Sequence, residues 1–164
     1  MTAEPSLDVL LGVLRRANVD FVLIGGLAAV AYGSARATFD IDVVYARNDD
    51  NVERLVEALS PYNPYLRGAP VGLPFVFDVQ TVQRGLNFTL TTSLGDLDLL
   101  GEVVGGGFYE DLIVEATTIN LFGFECPCVT LEQLIRLKRA AGRPRDLDAV
   151  AELEALLEEK QRRR

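Results

Sequence analysis

The segment Thr38-Phe39-Asp40-Ile41-Asp42-Val43-Val44-Tyr45 decides how this chain is read. Successive side chains of an extended strand point to opposite faces, so Phe39, Ile41, Val43 and Tyr45 form one unbroken apolar face. The other face carries Thr38, Asp40, Asp42 and Val44. Aspartate is among the residues that strands avoid. Two of them side by side, roughly 6 to 7 Å apart at Cα, repel each other unless a cation relieves them. A solvated face at a sheet edge is the plainer explanation, and it weakens once further carboxylates join the pair.

Such carboxylates recur in Gly95-Asp96-Leu97-Asp98-Leu99-Leu100, where Asp96 and Asp98 share a face opposite Leu97 and Leu99. Three carboxylates from two adjacent strands suit a pair of divalent ions about 3.5 to 4 Å apart. Asp98 is mid-strand and is the better placed third ligand, whereas Asp96 follows a turn and is equally explained as a turn residue. The chain has no histidine, and its two cysteines stand in Cys126-Pro127-Cys128. No zinc site can be completed from that set, so the metal expected here is oxygen-bound Mg²⁺ or Mn²⁺. Ser–His and Cys–His nucleophile pairs are excluded for the same reason. The cysteines read as a reduced, partly buried strand pair, because Cys-x-Cys cannot close an unstrained bridge in an extended strand.

Outward from these strands the order is mixed α/β with a largely antiparallel or mixed sheet. Ser6 is placed as the cap of a first helix, 7–17, followed by a buried strand at 20–24. Gly25-Gly26 then opens a short Ala-rich helix, 27–32, that Gly33 stops. A strand-to-helix Gly pair offers bare N–H groups to a phosphate, although most such pairs are only tight turns. Asp49-Asp50-Asn51 opens a helix ended by Pro61, and the proline-rich 62–74 stretch reads as a loop. Asp78 caps one short turn ending near Gly85. Strands at 86–92 and 96–100 make a hairpin through Ser93-Leu94-Gly95, and 116–121 with 124–128 make a second. Thr130-Leu131-Glu132-Gln133 is a capping box for a helix to about Ala141. Asp146 starts the last helix, with Leu147, Val150, Leu153 and Leu157 as its apolar stripe. The 164 residues make one expected domain, with a core at about 20–128 and a helical segment at about 130–159.

The whole chain is acidic, with 16 Lys+Arg against 24 Asp+Glu for a net charge of −8. That excludes the global basic field behind non-specific duplex binding. No apolar run approaches the roughly 18 residues of a membrane span. The Met-Thr-Ala-Glu-Pro start shows neither basic nor apolar leader region, so a cytoplasmic protein is expected. Against this acidic background Arg136, Lys138, Arg139, Arg143 and Arg145 cluster with no acid between Gln133 and Arg145. Some of them merely suit a helix C-terminus. Lys138 borders the stripe of Leu134, Ile135 and Leu137, so Lys138 and Arg143 are expected to face a substrate, and Arg139 and Arg145 to face solvent.

Taken together, Ile24-Gly25-Gly26, then Gly33-Ser34-Ala35-Arg36-Ala37-Thr38-Phe39-Asp40-Ile41-Asp42, resembles the signature of the DNA-polymerase-β-like nucleotidyltransferase superfamily. The Arg36-x-Thr38 ahead of the Asp-x-Asp, and Lys138 with Arg143-Pro144-Arg145-Asp146, look like its minimal nucleotidyltransferase and abortive-infection toxin branch. The resemblance implies a nucleotidyltransferase-type mixed sheet flanked by helices. It implies metal ligation by Asp40, Asp42 and Asp98, which are also the expected catalytic residues. It further implies nucleotide contact at Gly25, Gly26, Arg36, Thr38, Lys138 and Arg143, with Asp146 near the site or acting only as a helix cap. The implied reaction moves a nucleotidyl group from an NTP to an acceptor hydroxyl on a tRNA end, a protein or a small molecule. A cognate antitoxin is an expected partner if the chain is a toxin. The alternative is a catalytically silent nucleotide-binding or antitoxin-type protein on the same fold. Many relatives place serine after the first glycine, where this chain has Gly26.

Overall fold

A computed structural model describes residues 5–164, so the Met1–Glu4 start, on which the leader expectation rests, lies outside the described residues. Among the described residues no helix is long and apolar enough to cross a membrane.

Helix α1 (Leu7–Arg16) leads into strand β1 (Phe21–Ile24), whose four residues are all buried. Helix α2 (Gly25–Ala31) starts directly at the Gly pair, two residues earlier than the apolar pattern indicates. Strand β2 (Asp40–Tyr45) and helix α3 (Asp49–Leu59) follow. The α3 cap is Asn48, whose side chain accepts from Asn51 N. Asn51 is itself buried and binds Asp20 and Ala46 backbone groups, which ties α3 to the ends of β1 and β2.

The expected 62–74 loop contains a two-residue edge strand, β3 (Tyr65–Leu66). Helix α4 (Val79–Arg84) is capped by Asp78 as the sequence indicates. Strands β4 (Phe88–Thr92) and β5 (Gly95–Leu100) form the expected hairpin. Gly95 turns it at φ +135°, a conformation that L side chains rarely adopt. Two short strands, β6 (Glu102–Val103) and β7 (Gly107–Phe108), and helix α5 (Tyr109–Ile113) fill a region whose three consecutive glycines leave no readable period. Strands β8 (Thr117–Leu121) and β9 (Phe124–Cys128) make the second hairpin, and helices α6 (Leu131–Ala141) and α7 (Pro144–Arg162) end the chain.

The main sheet is mixed, with strand order β3-β4-β5-β2-β1-β9-β8. Strand β2 sits between antiparallel β1 and parallel β5, so its aspartates lie in the middle of the sheet and not at an edge. Leu10, Leu11 and Leu14 of α1 and Val52, Leu55 and Leu59 of α3 are fully buried with Ile41, Val43, Leu97 and Leu99 of the sheet. Burying that apolar face fixes strand register, since a slip of one residue would turn the aspartates inward.

Several sequence expectations shift. Phe39 lies outside the β2 ladder and is 70% exposed, so the apolar face begins at Ile41. Leu86 likewise precedes β4 and is exposed. Helix α7 starts at Pro144, which makes Asp146 its third residue and not its cap. Its packed face is then Asp146, Ala149, Val150 and Leu153, and Leu147 turns about 100° away into solvent. Helix α1 has Ser6 at the cap position, but the side chain makes no capping bond. Cys126 and Cys128 are both fully buried, and burial raises their thiols to about 11 and about 12. They are protonated packing residues.

Candidate active site

The parallel β2–β5 register sets Asp40 opposite Asp96 and Asp42 opposite Asp98. Side-chain oxygens of Asp40, Asp42 and Asp98 all lie within 4.8 Å of one another. Asp98 thus completes the cluster, and Asp96 lies beside it. Val44, on the same face, is fully buried, so the open stretch of that face ends after Asp42. Asp42 is more enclosed than Asp40. Its carboxyl is pushed up to about 8, first by burial, then by a hydrogen bond with Asp98 and the charges of Asp40 and Asp98. Asp40 is raised in the same sense, again mainly by burial. These carboxylates sit at a cost that a cation would remove.

A cleft of about 510 Å³ opens over them and runs toward Lys138, Arg143 and Asp146. A smaller recess of about 280 Å³ reaches Asp42 and Asp98 from Leu100, Val103 and Leu134. Lys138 borders both spaces, as its place at the rim of the α6 stripe indicates. Its ammonium lies 3.5 Å from Asp146 Oδ1. Asp146 is 1% exposed, and Arg143 donates to it from Nε at 2.6 Å and from its backbone N at 3.2 Å. The Arg143 guanidinium beside Asp146 keeps that carboxyl below its ordinary range. Asp146, itself part of the cleft wall, therefore holds Lys138 and Arg143 at the cleft.

Arg139 is exposed and pairs with Glu154 on the outer face of α7, as expected of a solvent-facing residue. Arg145 is exposed, as expected, and sits where the cleft opens to solvent. Arg36 and Thr38 also line the cleft. The segment that carries them is pinned to α7 by Glu152, which accepts from Ser34 Oγ at 2.6 Å and from Ala35 N at 3.3 Å. Neither Ser34 nor Glu152 carries a sequence signal, since the apolar pattern of α7 says nothing about its polar flank.

Gly25 and Gly26 border the carboxylates at the start of α2. Gly25 has φ +73°, and a Cβ built there would lie 2.2 Å from Asp42 Oδ2. A Cβ at Gly26 would lie 2.8 Å from Thr38 Oγ1. The Thr38 hydroxyl thus occupies the place into which a side chain at position 26 would grow.

The residue that the sequence reading missed is Arg67, just beyond β3. Its guanidinium approaches Asp98, Asp96 and Asp40 at 2.9, 3.3 and 4.0 Å. Asp98 Oδ1 is nevertheless buried without a hydrogen bond, as is Arg67 Nε. An orphaned carboxylate oxygen in an all-oxygen donor set fits a hard divalent cation.

No family model matches the chain, and no curated protein does. Solved structures do. The lincosamide antibiotic adenylyltransferase LnuA, with lincomycin bound, superposes with a TM-score of 0.60 at 16% identity, covering 94% of this chain and 98% of that one. An antigenic nucleotidyltransferase-like protein from Paracoccidioides brasiliensis gives a TM-score of 0.54 at 17% identity, covering 91% and 73%. The chain has the nucleotidyltransferase fold.

Proposed function

We propose that the chain is a metal-dependent nucleotidyltransferase that moves a nucleotidyl group from an NTP to an acceptor hydroxyl. The observation that carries this reading is the convergence of Asp40, Asp42 and Asp98 at one cleft whose far wall is cationic. Asp40, Asp42 and Asp98 would hold Mg²⁺ or Mn²⁺, which neutralises charge on the α-phosphate and acidifies the attacking hydroxyl. Asp98 takes the hydroxyl proton. The acceptor oxygen bonds to the α-phosphorus, the bond to the bridging oxygen breaks, and pyrophosphate leaves. Lys138, Arg143 and Arg36 supply charge-assisted donors to the triphosphate. The first-turn N–H groups of Gly25 and Gly26 have no partner within α2 and add two more, with the Thr38 hydroxyl beside them. Asp146 positions the two cations of the far wall.

A small hydroxylated molecule is the acceptor class favoured by the likeness to LnuA, which runs nearly the length of both chains. The net charge of −8 weighs against a long nucleic acid. Incubation with α-labelled and, separately, γ-labelled NTPs tests the reaction, with small hydroxylated compounds, tRNA and cell protein as acceptors. Transfer of the α-label alone supports it. Label on tRNA would make tRNA the acceptor and favour the toxin reading, in which a cognate antitoxin is the expected partner. NTP binding without any transfer would leave the silent nucleotide-binding reading in its place.

Lys138 and Arg139 separate a directed contact from a diffuse field. Lys138→Ala is expected to weaken NTP binding by about 1.5 to 3 kcal/mol, roughly 10- to 150-fold. Arg139→Ala, which breaks only an exposed pair with Glu154, is expected to leave it within about twofold. Equal losses in a calorimetric titration would withdraw the assignment of Lys138.

A further inference from the structure

Four carboxylates, those of Asp40, Asp42, Asp96 and Asp98, stand in two facing pairs on adjacent strands, and like charges so placed push apart. Lys138 lies on one flank, nearest Asp42 and Asp146. Arg67 lies on the other. Its backbone N–H bonds Thr89 O at 3.0 Å, and its Nη2 donates to Leu90 O at 2.7 Å, so the side chain is laid across β4 toward the cluster. From there one guanidinium reaches three of the four carboxylates and leaves Asp42 untouched. Its contact with Asp98 is a close approach of charges, 2.9 Å apart, in which no N–H is directed at the oxygen. A group held this way neutralises Asp98 without saturating it.

We propose that Arg67 is a built-in counter-cation of the carboxylate cluster: it holds Asp96 and Asp98 together in the ion-free protein and competes with a divalent ion for Asp98. The proposal rests on the metal-dependent reading above and adds to it a residue that sets ion affinity. A fixed positive charge a few ångströms from the ion site repels an incoming dication, so removing it tightens ion binding even though it loosens the ion-free fold. A purely structural arginine behaves oppositely, because its loss disorders the ligands and weakens ion binding.

Mn²⁺ titration of the full chain without nucleotide, with thermal melts in chelator and in saturating Mn²⁺, distinguishes these. Arg67→Met is expected to bind Mn²⁺ at least about tenfold more tightly than the unaltered chain. It is also expected to melt lower in chelator, with the gap closing as Mn²⁺ is added. Arg67→Lys keeps the charge and is expected to stay near the unaltered affinity. Arg67→Gln carries the same test if the methionine variant does not fold. Unchanged or weaker Mn²⁺ binding in a folded neutral variant overturns the counter-cation role and leaves the nucleotidyl-transfer reading standing. No Mn²⁺ binding by any of the proteins overturns both.

Discussion

Replacing Asp42 with asparagine is expected to abolish the proposed nucleotidyl transfer and, in the ion-free protein, to raise stability at alkaline pH. Changes to residues that merely support metal ligands cost about 10- to 100-fold, so loss of a ligand itself is expected to exceed about 100-fold. The stability effect follows from the Asp42 carboxyl, which burial above all pushes up to about 8 in the fold. An unfolded chain ionises this group near pH 4. Below pH 4 both states hold the proton and Asp42 imposes no penalty. Between pH 4 and 8 the folded state holds more protons than the unfolded one, so stability falls as pH rises, and above pH 8 the full penalty is present. Asparagine does not titrate. The melting temperature of the variant relative to the unaltered chain is therefore expected to climb from near zero at pH 4 to a plateau above pH 8. Melts in chelator across that range check it, and a pH-independent offset would contradict the burial argument.

Gly25→Ala is expected to cost both fold and site. Its φ of +73° is strained for any L side chain, at about 1 to 2 kcal/mol. The added Cβ would also lie 2.2 Å from Asp42 Oδ2 and 2.8 Å from its Cγ, so Asp42 must leave its place. Chemical denaturation should show the lost stability, and Mn²⁺ titration a loss of affinity of at least about tenfold, since a misplaced ligand is worth at least as much as a lost supporting one. Gly123→Ala, in the β8–β9 turn, is the matched control. Its φ is +83° with no atom beyond its chain neighbours within 4 Å of the built Cβ, so it carries the backbone strain without the collision. Equal Mn²⁺ affinity in the two variants would show that the contact with Asp42 does not matter.

These outcomes turn on residues of unequal legibility in the sequence. Asp40 and Asp42 were readable because a period of two beside Ile41 and Val43 leaves a strand only one way to lie. Asp98 was readable for the same reason. The α6 capping box fixed where Lys138 falls on its helix, since Thr130 and Gln133 bond each other's backbone as the pattern requires. Arg67 was not readable. It stands among prolines and glycines, where no period exists, and its partners are 29 and 31 residues away at Asp96 and Asp98, with Asp40 27 residues behind. Phe39 misled because alternation continues one residue beyond the hydrogen-bonded ladder. Asp146 misled because an aspartate suits both the cap and the third position of a helix, and only its pairing with Arg143 decides between them.

The most direct test of the central claim is the position of Mn²⁺ in crystals of the chain grown with Mn²⁺ and a non-hydrolysable NTP analogue, located by anomalous scattering. A peak is expected about 2.1 Å from carboxylate oxygens of Asp40, Asp42 and Asp98, with the analogue's triphosphate toward Lys138. A fully occupied peak elsewhere, or a bound analogue with no ion at these aspartates, would contradict it.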